Sequence, residues 1–204
     1  MVRVRIETVR EAYARRAGEY ISRLGSIDAT ALVDQELIEA WGRSVHGPVL
    51  DVGCGPGHWA GFLHQAGVEV TGIDPVPEFI DDARARFPDV PVQVGRAEVL
   101  DVDDASVGGI LAWYSLIHTH PARISSVFDE FARALRPGGT LLVGFFAGAD
   151  LTEFDHAVTT AHFWPPDMLR AVIEAAGFSV LATHTRTDPG ARRHGDLIAQ
   201  RLRS

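Results

Sequence analysis

Lysine and asparagine are absent from the 204 residues, and cysteine occurs once. All 19 basic residues are therefore arginine, which excludes chemistry that needs a lysine amine: a pyridoxal Schiff base, a P-loop lysine or a lysine nucleophile. Without asparagine there is no N-glycosylation acceptor. A lone Cys54 excludes a disulfide framework and any paired-cysteine zinc spacing. No uninterrupted apolar run approaches the ~20 residues of a membrane helix, and the opening MVRVRIETVREAY is charged where a signal peptide carries an apolar stretch. The expectation is a cytoplasmic protein with no membrane partner. Acidic residues outnumber basic ones 27 to 19, a net charge of −8, so a nucleic-acid partner is not expected either.

What is present reads as one domain spanning 1–204, with no linker, repeat or low-complexity segment. Before residue 47 the periodicity is helical. Val9, Tyr13, Tyr20 and Leu24 fall near one face, and Asp28 is placed to cap a second helix carrying Leu32, Leu37, Ile38 and Trp41. From Pro48 onward, short apolar runs (49–52, 68–73, 90–94, 107–114, 140–146) alternate with amphipathic segments (58–66, 77–86, 121–135, 166–176), most of them ended by Gly or Pro-Gly. Such runs suit strands of a parallel sheet buried on both faces, and the βα repetition predicts a Rossmann-like open α/β sandwich with two extra N-terminal helices. The runs 178–186 and 196–202 are joined by Thr187-Asp188-Pro189-Gly190 and a basic stretch too short for a helix, so they predict an antiparallel hairpin at one edge.

The strongest local signal is Val49-Leu50-Asp51-Val52-Gly53-Cys54-Gly55-Pro56-Gly57-His58. Its glycines let the backbone turn sharply at the carboxyl end of the first strand, where open α/β sheets bind ligands. Asp74 closes the second strand and is placed to accept hydrogen bonds from two ribose hydroxyls. The third glycine of a dinucleotide fingerprint is replaced by His58, and a carboxylate at Asp51 would repel a pyrophosphate, so an NAD-dependent oxidoreductase is the weaker alternative. The pattern suits a ligand with an adenosine end and a cationic end.

With Gly72-Ile73-Asp74, Val107-Gly108-Gly109-Ile110-Leu111-Ala112 and Leu135-Arg136-Pro137-Gly138-Gly139 in order after the loop, the sequence resembles the class I S-adenosylmethionine-dependent methyltransferases from about Pro48 to Phe146. The resemblance implies a seven-stranded, mostly parallel sheet in the order 3-2-1-4-5-7-6 with strand 7 antiparallel. It implies a lid at 1–46, a cofactor-binding core at 47–146 and an acceptor-side segment with the last helix and hairpin at 147–204. The implied cofactor is S-adenosylmethionine, with S-adenosylhomocysteine as product. The implied cofactor set is Asp51, Gly53, Cys54, Gly55 and Gly57 around the loop, then Asp74 and Pro75. Ala97 and Glu98 follow the third strand, Trp113 and Tyr114 the fourth, and Tyr13 and Tyr20 cover the cofactor from the N-terminal helix. The segment Gly95-Arg96-Ala97-Glu98 departs from the family pattern by placing Arg96 where an acid often meets the adenine amine. A non-catalytic protein that binds S-adenosylmethionine or S-adenosylhomocysteine would keep the same loop and Asp74.

For the acceptor, Trp113-Tyr114-Ser115-Leu116 lacks the tetrad that the resemblance would associate with amino-group methylation of nucleobases or glutamine. It also lacks a carboxylate for magnesium, so the expected reaction is metal-independent methyl transfer to a small molecule, by a monomer or weak homodimer. Positioning alone can supply ~7 to 11 kcal/mol of such a displacement. If the acceptor is a hydroxyl, a base is needed, and His118 in Ile117-His118-Thr119-His120-Pro121 is the candidate catalytic residue, ahead of His120. Taken as one extended segment, 154–164 would put Phe154, His156, Val158, Thr160, His162 and Trp164 on one face. The expected acceptor set is accordingly Tyr114, His118, His156, His162 and Trp164.

Overall fold

The computed structural model describes residues 3–203, the side chains of residues 3–8 and 23–24 excepted; the expected position of Leu24 on a helix face lies outside the described residues. Short apolar runs become strands because the sheet is covered on both faces. β1 (Val49–Val52) is buried at every position, and β2 (Val70–Asp74), β3 (Val92–Val94), β4 (Val107–Trp113) and β5 (Leu135–Ala147) extend the sheet in parallel. β6 (Thr152–Asp155) and β7 (Thr160–Trp164) form one antiparallel hairpin, β8 (Phe178–Arg186) and β9 (His194–Arg201) another, and β9 runs antiparallel to β5. The implied order is therefore present as β3-β2-β1-β4-β5-β9-β8. Seven strands become nine among the described residues, because β6 and β7 are added.

Three helices precede β1, where the periodicity predicts two: α1 (Arg3–Arg15), α2 (Ala17–Leu24) and α3 (Leu32–Ser44). The backbone breaks at Arg16 (φ −114°, ψ 12°), so Tyr13 and Tyr20 sit on separate helices. Asp28 does not cap α3. It lies in a 3-10 turn, Ile27–Ala29, where the Ser26 hydroxyl accepts its N–H, and α3 starts four residues later behind Ala31. α3 joins α4 (His58–Gln65) in a hydrophobic layer on one sheet face, with Ile38, Trp41, Trp59 and Leu63 against Val49, Val70 and Leu111. The expected 1–46 lid is thus corrected: α3 belongs to the sandwich. α1 and α2 instead pack on α5 (Pro77–Arg86) through Tyr13, Tyr20, Val76 and Phe79. α6 (Pro121–Ala134) and α7 (Pro166–Ala175) cover the opposite face.

The register of β5 decides what stands over the sheet's carboxyl edge. β9 occupies one side of β5 from Thr140 to Phe146, whereas β4 occupies the other only as far as Gly144. β7 pairs in parallel with Phe146 and Ala147, so it takes β4's side just beyond the point where β4 stops. The β6–β7 hairpin consequently roofs the end of β4, and the His162 N–H donates to the Ile117 carbonyl (2.9 Å) to close it onto the following loop. This overturns the single extended face expected over 154–164. The chain folds back through 156–159 and pairs with itself, Phe154 opposite Ala161 and Asp155 opposite Thr160, so alternation does not carry across.

Candidate active site

A cavity of about 580 Å³ opens at the carboxyl ends of β1, β2 and β4, within the range of small-molecule sites. Its floor is the glycine loop. Gly53 (φ +78°) passes so close to Ser115 that a Cβ would lie 2.2 Å from the serine Cβ, whereas a Cβ on Gly55 (φ +53°) would meet only Tyr20, at 3.9 Å. Gly53 is required by packing against the chain; Gly55 faces ligand space. The Asp74 carboxylate fixes the loop, accepting from Gly55 N–H and Val76 N–H at 2.9 Å each. Each oxygen keeps a lone pair for a ribose hydroxyl. Burial pushes Asp74 up to about 6, against the two backbone hydrogen bonds.

Asp51 lies beneath the loop, 1% exposed. It receives a hydrogen bond from the Ala60 N–H in the first turn of α4, and its Oδ2 is buried without a partner among the described residues. Burial, then the Asp74 charge, push it up to about 7. Two buried carboxylates with no ion pair to either, among the described residues, make a site whose electrostatics favour a bound cation. That fits a ligand with an ammonium and a sulfonium beside a ribose. Asp51 serves such a ligand by its charge and its unpartnered oxygen, since it does not line the cavity.

Cys54 and Gly57, expected at the cofactor, do not line it either. The Cys54 thiol is buried against Gly72 under the loop, and Gly57 (φ +78°) is held by Ala83 of α5, which a Cβ would approach to 2.9 Å. Gly53, Gly55, Asp74, Pro75, Ala97, Glu98, Trp113, Tyr114, Tyr13 and Tyr20 all border the cavity. Glu98 is engaged by Arg96 (3.4 Å) and Arg123 (3.9 Å). Tyr13, Tyr20 and Phe79 form an aromatic cover with ring centroids 5.2 to 5.9 Å apart, and burial pushes the Tyr20 hydroxyl up to about 12.

On the far side stand Tyr114, Phe146, His118 and His156. Tyr114 is held in a left-handed conformation (φ +55°), rare for an aromatic residue and typical of strained sites. Its ring packs on Phe146 (5.0 Å), and its hydroxyl meets His194 Nδ1 at 2.5 Å. His118 Nδ1 lies 2.7 Å from the Thr160 carbonyl oxygen and Nε2 lies 2.8 Å from Tyr13 Oη. Burial pulls His118 down to about 4, against the Thr160 hydrogen bond, so its imidazole is neutral at pH 7. His120 has a different role: it is the N-cap of α6, its Nδ1 accepting from the Ala122 N–H.

Two acceptor expectations are corrected. His162 is 3% exposed, ties β7 to Ile117 and lies 3.5 Å from Glu153; Trp164 is 4% exposed in the main core. The fold-back at 156–159 turns both away from the cavity. Phe79, Phe146 and Ser115 line the site and were not singled out from the sequence. Phe146 had a signal, as a residue at the carboxyl end of a strand; His194, on the terminal hairpin, had none. Among the described residues no group of His, Cys, Asp and Glu could hold a metal ion. None of the helices there is long and apolar enough to cross a membrane.

The family model for a methyltransferase domain matches residues 49–139, from β1 through the Pro137-Gly138-Gly139 turn. Over these residues the chain is similar to methyltransferase domains, and its fold is that of S-adenosylmethionine-dependent methyltransferases. A methyltransferase of Mycobacterium tuberculosis is 40% identical over 93 residues, covering 46% of this chain and 37% of that protein. A malonyl-[acyl-carrier protein] O-methyltransferase of Erwinia billingiae is 30% identical over 157 residues, covering 77% and 61%. The chain thus spans less than two thirds of the length of these relatives. Among solved structures, the 1,6-didemethyltoxoflavin-N1-methyltransferase of Burkholderia thailandensis superposes with a TM-score of 0.79 at 19% identity, over 97% of this chain and 89% of that one. It was crystallised with 1,6-didemethyltoxoflavin and S-adenosylhomocysteine bound. The loop, Asp74 and the unpartnered Asp51 oxygen suit a ligand of the S-adenosylhomocysteine type held by that neighbour.

Proposed function

We propose that this methyltransferase moves a methyl group to a small, uncharged acceptor held between Tyr114, Phe146, His156 and His118, with α1 and α2 as a lid. The donor, when bound, supplies an electrophilic sulfonium methyl whose departing sulfur keeps the bonding electron pair. Asp74 would hold the ribose, Asp51 the cationic end by charge, Ala97 and Glu98 the adenine edge, and Tyr13 and Tyr20 the cover. The observation that carries the reading is His118: a half-buried, neutral imidazole at the cavity wall with Nδ1 on a carbonyl and its basic nitrogen 2.8 Å from Tyr13 Oη. Its role is to take the proton of the acceptor's O–H or N–H. The toxoflavin-type neighbour acts on a compact molecule of this kind, which supports the size of acceptor proposed. A net charge of −8 supports a small molecule over a polyanion. The single, buried cysteine is compatible with a cytoplasmic, reducing setting.

The test pairs two variants. Asp74→Ala should weaken S-adenosylhomocysteine binding about 10-fold to 150-fold by calorimetry, an expected cost of ~1.5 to 3 kcal/mol. His118→Ala should lose ~10² to 10⁴ in turnover, in a screen of small acceptors with labelled donor, while changing cofactor affinity less than about tenfold. Full turnover by His118→Ala would show that positioning alone carries the reaction.

A further inference from the structure

All three tyrosines of the chain border the cavity, and Tyr13 makes a contact that a simple cover does not need. Its hydroxyl oxygen lies 2.8 Å from His118 Nε2, joining α1 to the loop after β4 across 105 residues of sequence. The Thr160 carbonyl oxygen, 2.7 Å from Nδ1, can only accept, so in the neutral ring Nδ1 carries the hydrogen and Nε2 the lone pair. Tyr13 must then be the donor to Nε2. The ring is held in that pose by edge contacts with Tyr20 (5.5 Å), Phe79 (5.9 Å) and His118 itself (5.5 Å). With α1 in place, the basic nitrogen of His118 is already engaged. An acceptor reaches it by displacing Tyr13 or through the Tyr13 oxygen, whose lone pairs remain free to accept.

We propose that Tyr13, carried by the lid, is the catalytic residue that receives the acceptor's proton, and that His118 works through it, so the base is complete only when α1 is closed. This rests on the methyl-transfer reading above and deepens it. As the acceptor's O–H or N–H proton passes to Tyr13 Oη, the tyrosine's own proton passes to His118 Nε2. The phenol ends neutral and the imidazole becomes imidazolium, its Nδ1–H still donated to Thr160. The electron pair freed on the acceptor atom forms its new bond to the methyl carbon. Burial, and then the neighbouring Tyr20 and the Asp74 carboxylate, push the Tyr13 hydroxyl up, so the phenol passes a proton on in the same motion and does not rest as phenolate. A histidine held as low as about 4 is a weak base, which suits an acceptor whose proton is itself acidic, such as an aromatic hydroxyl or a ring N–H.

The hydrogen bond can be read without knowing the acceptor. In the full chain labelled with ¹⁵N-histidine and loaded with S-adenosylhomocysteine at pH 7, the resonances lost in His118→Ala identify that ring. The expected result is a neutral Nδ1–H tautomer with a hydrogen-bonded Nε2, and Tyr13→Phe should shift Nε2 toward a free acceptor nitrogen while Tyr20→Phe leaves it in place. Tyr13→Phe should also release S-adenosylhomocysteine roughly fivefold faster and raise amide exchange over residues 9–22, the double variant with His118→Ala being no faster than either single one. With an acceptor in hand, the two single variants should lose turnover by similar factors and the double by no more. An Nε2–H tautomer, or an Nε2 resonance unmoved by Tyr13→Phe, overturns the proposal. Because the tautomer is read in the unsubstituted protein, a variant that fails to fold does not block the test. A missing Tyr13 contact with methyl transfer intact would refute the relay and leave the proposed function standing. No binding of S-adenosylhomocysteine would refute the function, and the tautomer of the ligand-free protein would then decide the contact by itself.

Discussion

Replacing Asp51 with asparagine should make the ligand-free protein more stable and a poorer binder of S-adenosylhomocysteine. Asp51 is fully buried, and burial together with the Asp74 charge push it from 3.8 up to about 7. A shift of ~3 units at ~1.36 kcal/mol per unit sets an upper bound of roughly 4 kcal/mol on what ionising this group costs the native state at neutral pH. Asparagine removes the charge and can keep its oxygen on the Ala60 N–H, losing only the extra strength of a charged acceptor, ~1 kcal/mol. A net gain of about 1 to 3 kcal/mol corresponds to ~2 to 4 °C in melting temperature per kcal/mol in a chain of this length. Because the folded pKa is raised, the native state binds the extra proton. The Asp51 contribution is therefore favourable near pH 4 and is lost as pH rises to about 7. The ligand-free parent should gain melting temperature on acidification through that window. Asp51→Asn should show a flatter profile, with Asp74 as the remaining source of slope. Scanning calorimetry from pH 5 to 8, with and without S-adenosylhomocysteine, measures both effects, and ligand should stabilise the parent by at least ~1.5 kcal/mol more than the variant. A variant that is less stable at pH 7 and binds ligand as well as the parent would refute the reasoning and leave Asp51 as a cap on α4.

Three further outcomes separate the roles assigned above. Gly55→Val should abolish cofactor binding by calorimetry, since the site is open only to ligand and φ +53° disfavours a branched residue. Trp164→Ala should cost ~3 to 5 kcal/mol in denaturant unfolding, as expected for a core ring and not for a pocket wall; an unchanged midpoint would return it to the pocket. Asp34→Ala should leave Arg186, whose guanidinium grips both carboxylate oxygens of the buried Asp34 and links α3 to β8, with Asp188 as its remaining partner. A loss of ~3 kcal/mol is expected, read as a lowered melting temperature, and an unshifted value would show the pair to be dispensable.

The parts of the site that were legible are those whose physics is local. Val49–Val52, the glycines after it and Asp74 lie within one βα unit, where strand length, positive φ and the end of the next strand follow from neighbouring residues. His118 could be named because any residue just past β4 stands at the carboxyl edge. The cover was half legible: Tyr13 and Tyr20 were placed over the cofactor, but nothing in Ala14-Arg15-Arg16-Ala17 signals the break between α1 and α2, and α3 was assigned to the lid although its Ile38 and Trp41 face the sheet.

By itself, the sequence determined the α/β sandwich, the terminal hairpin and the glycine loop, because hydrophobic period and turn chemistry act over a few residues; the strand order was implied by the resemblance to the class I methyltransferases. Only the tertiary structure decided the acceptor side. The stretch His156-Ala157-Val158-Thr159 carries no glycine or proline, so its turn is imposed by the pairing of β7 with the exposed end of β5, and that pairing buries His162 and Trp164 while leaving His156 at the cavity. The tautomer of His118, the raised Asp51 and the hydrogen bond from Tyr13 depend on groups brought together from 9 to 105 residues apart, and on the loss of water around them. Burial and long-range hydrogen bonding are properties of the packed chain, and no local pattern encodes them.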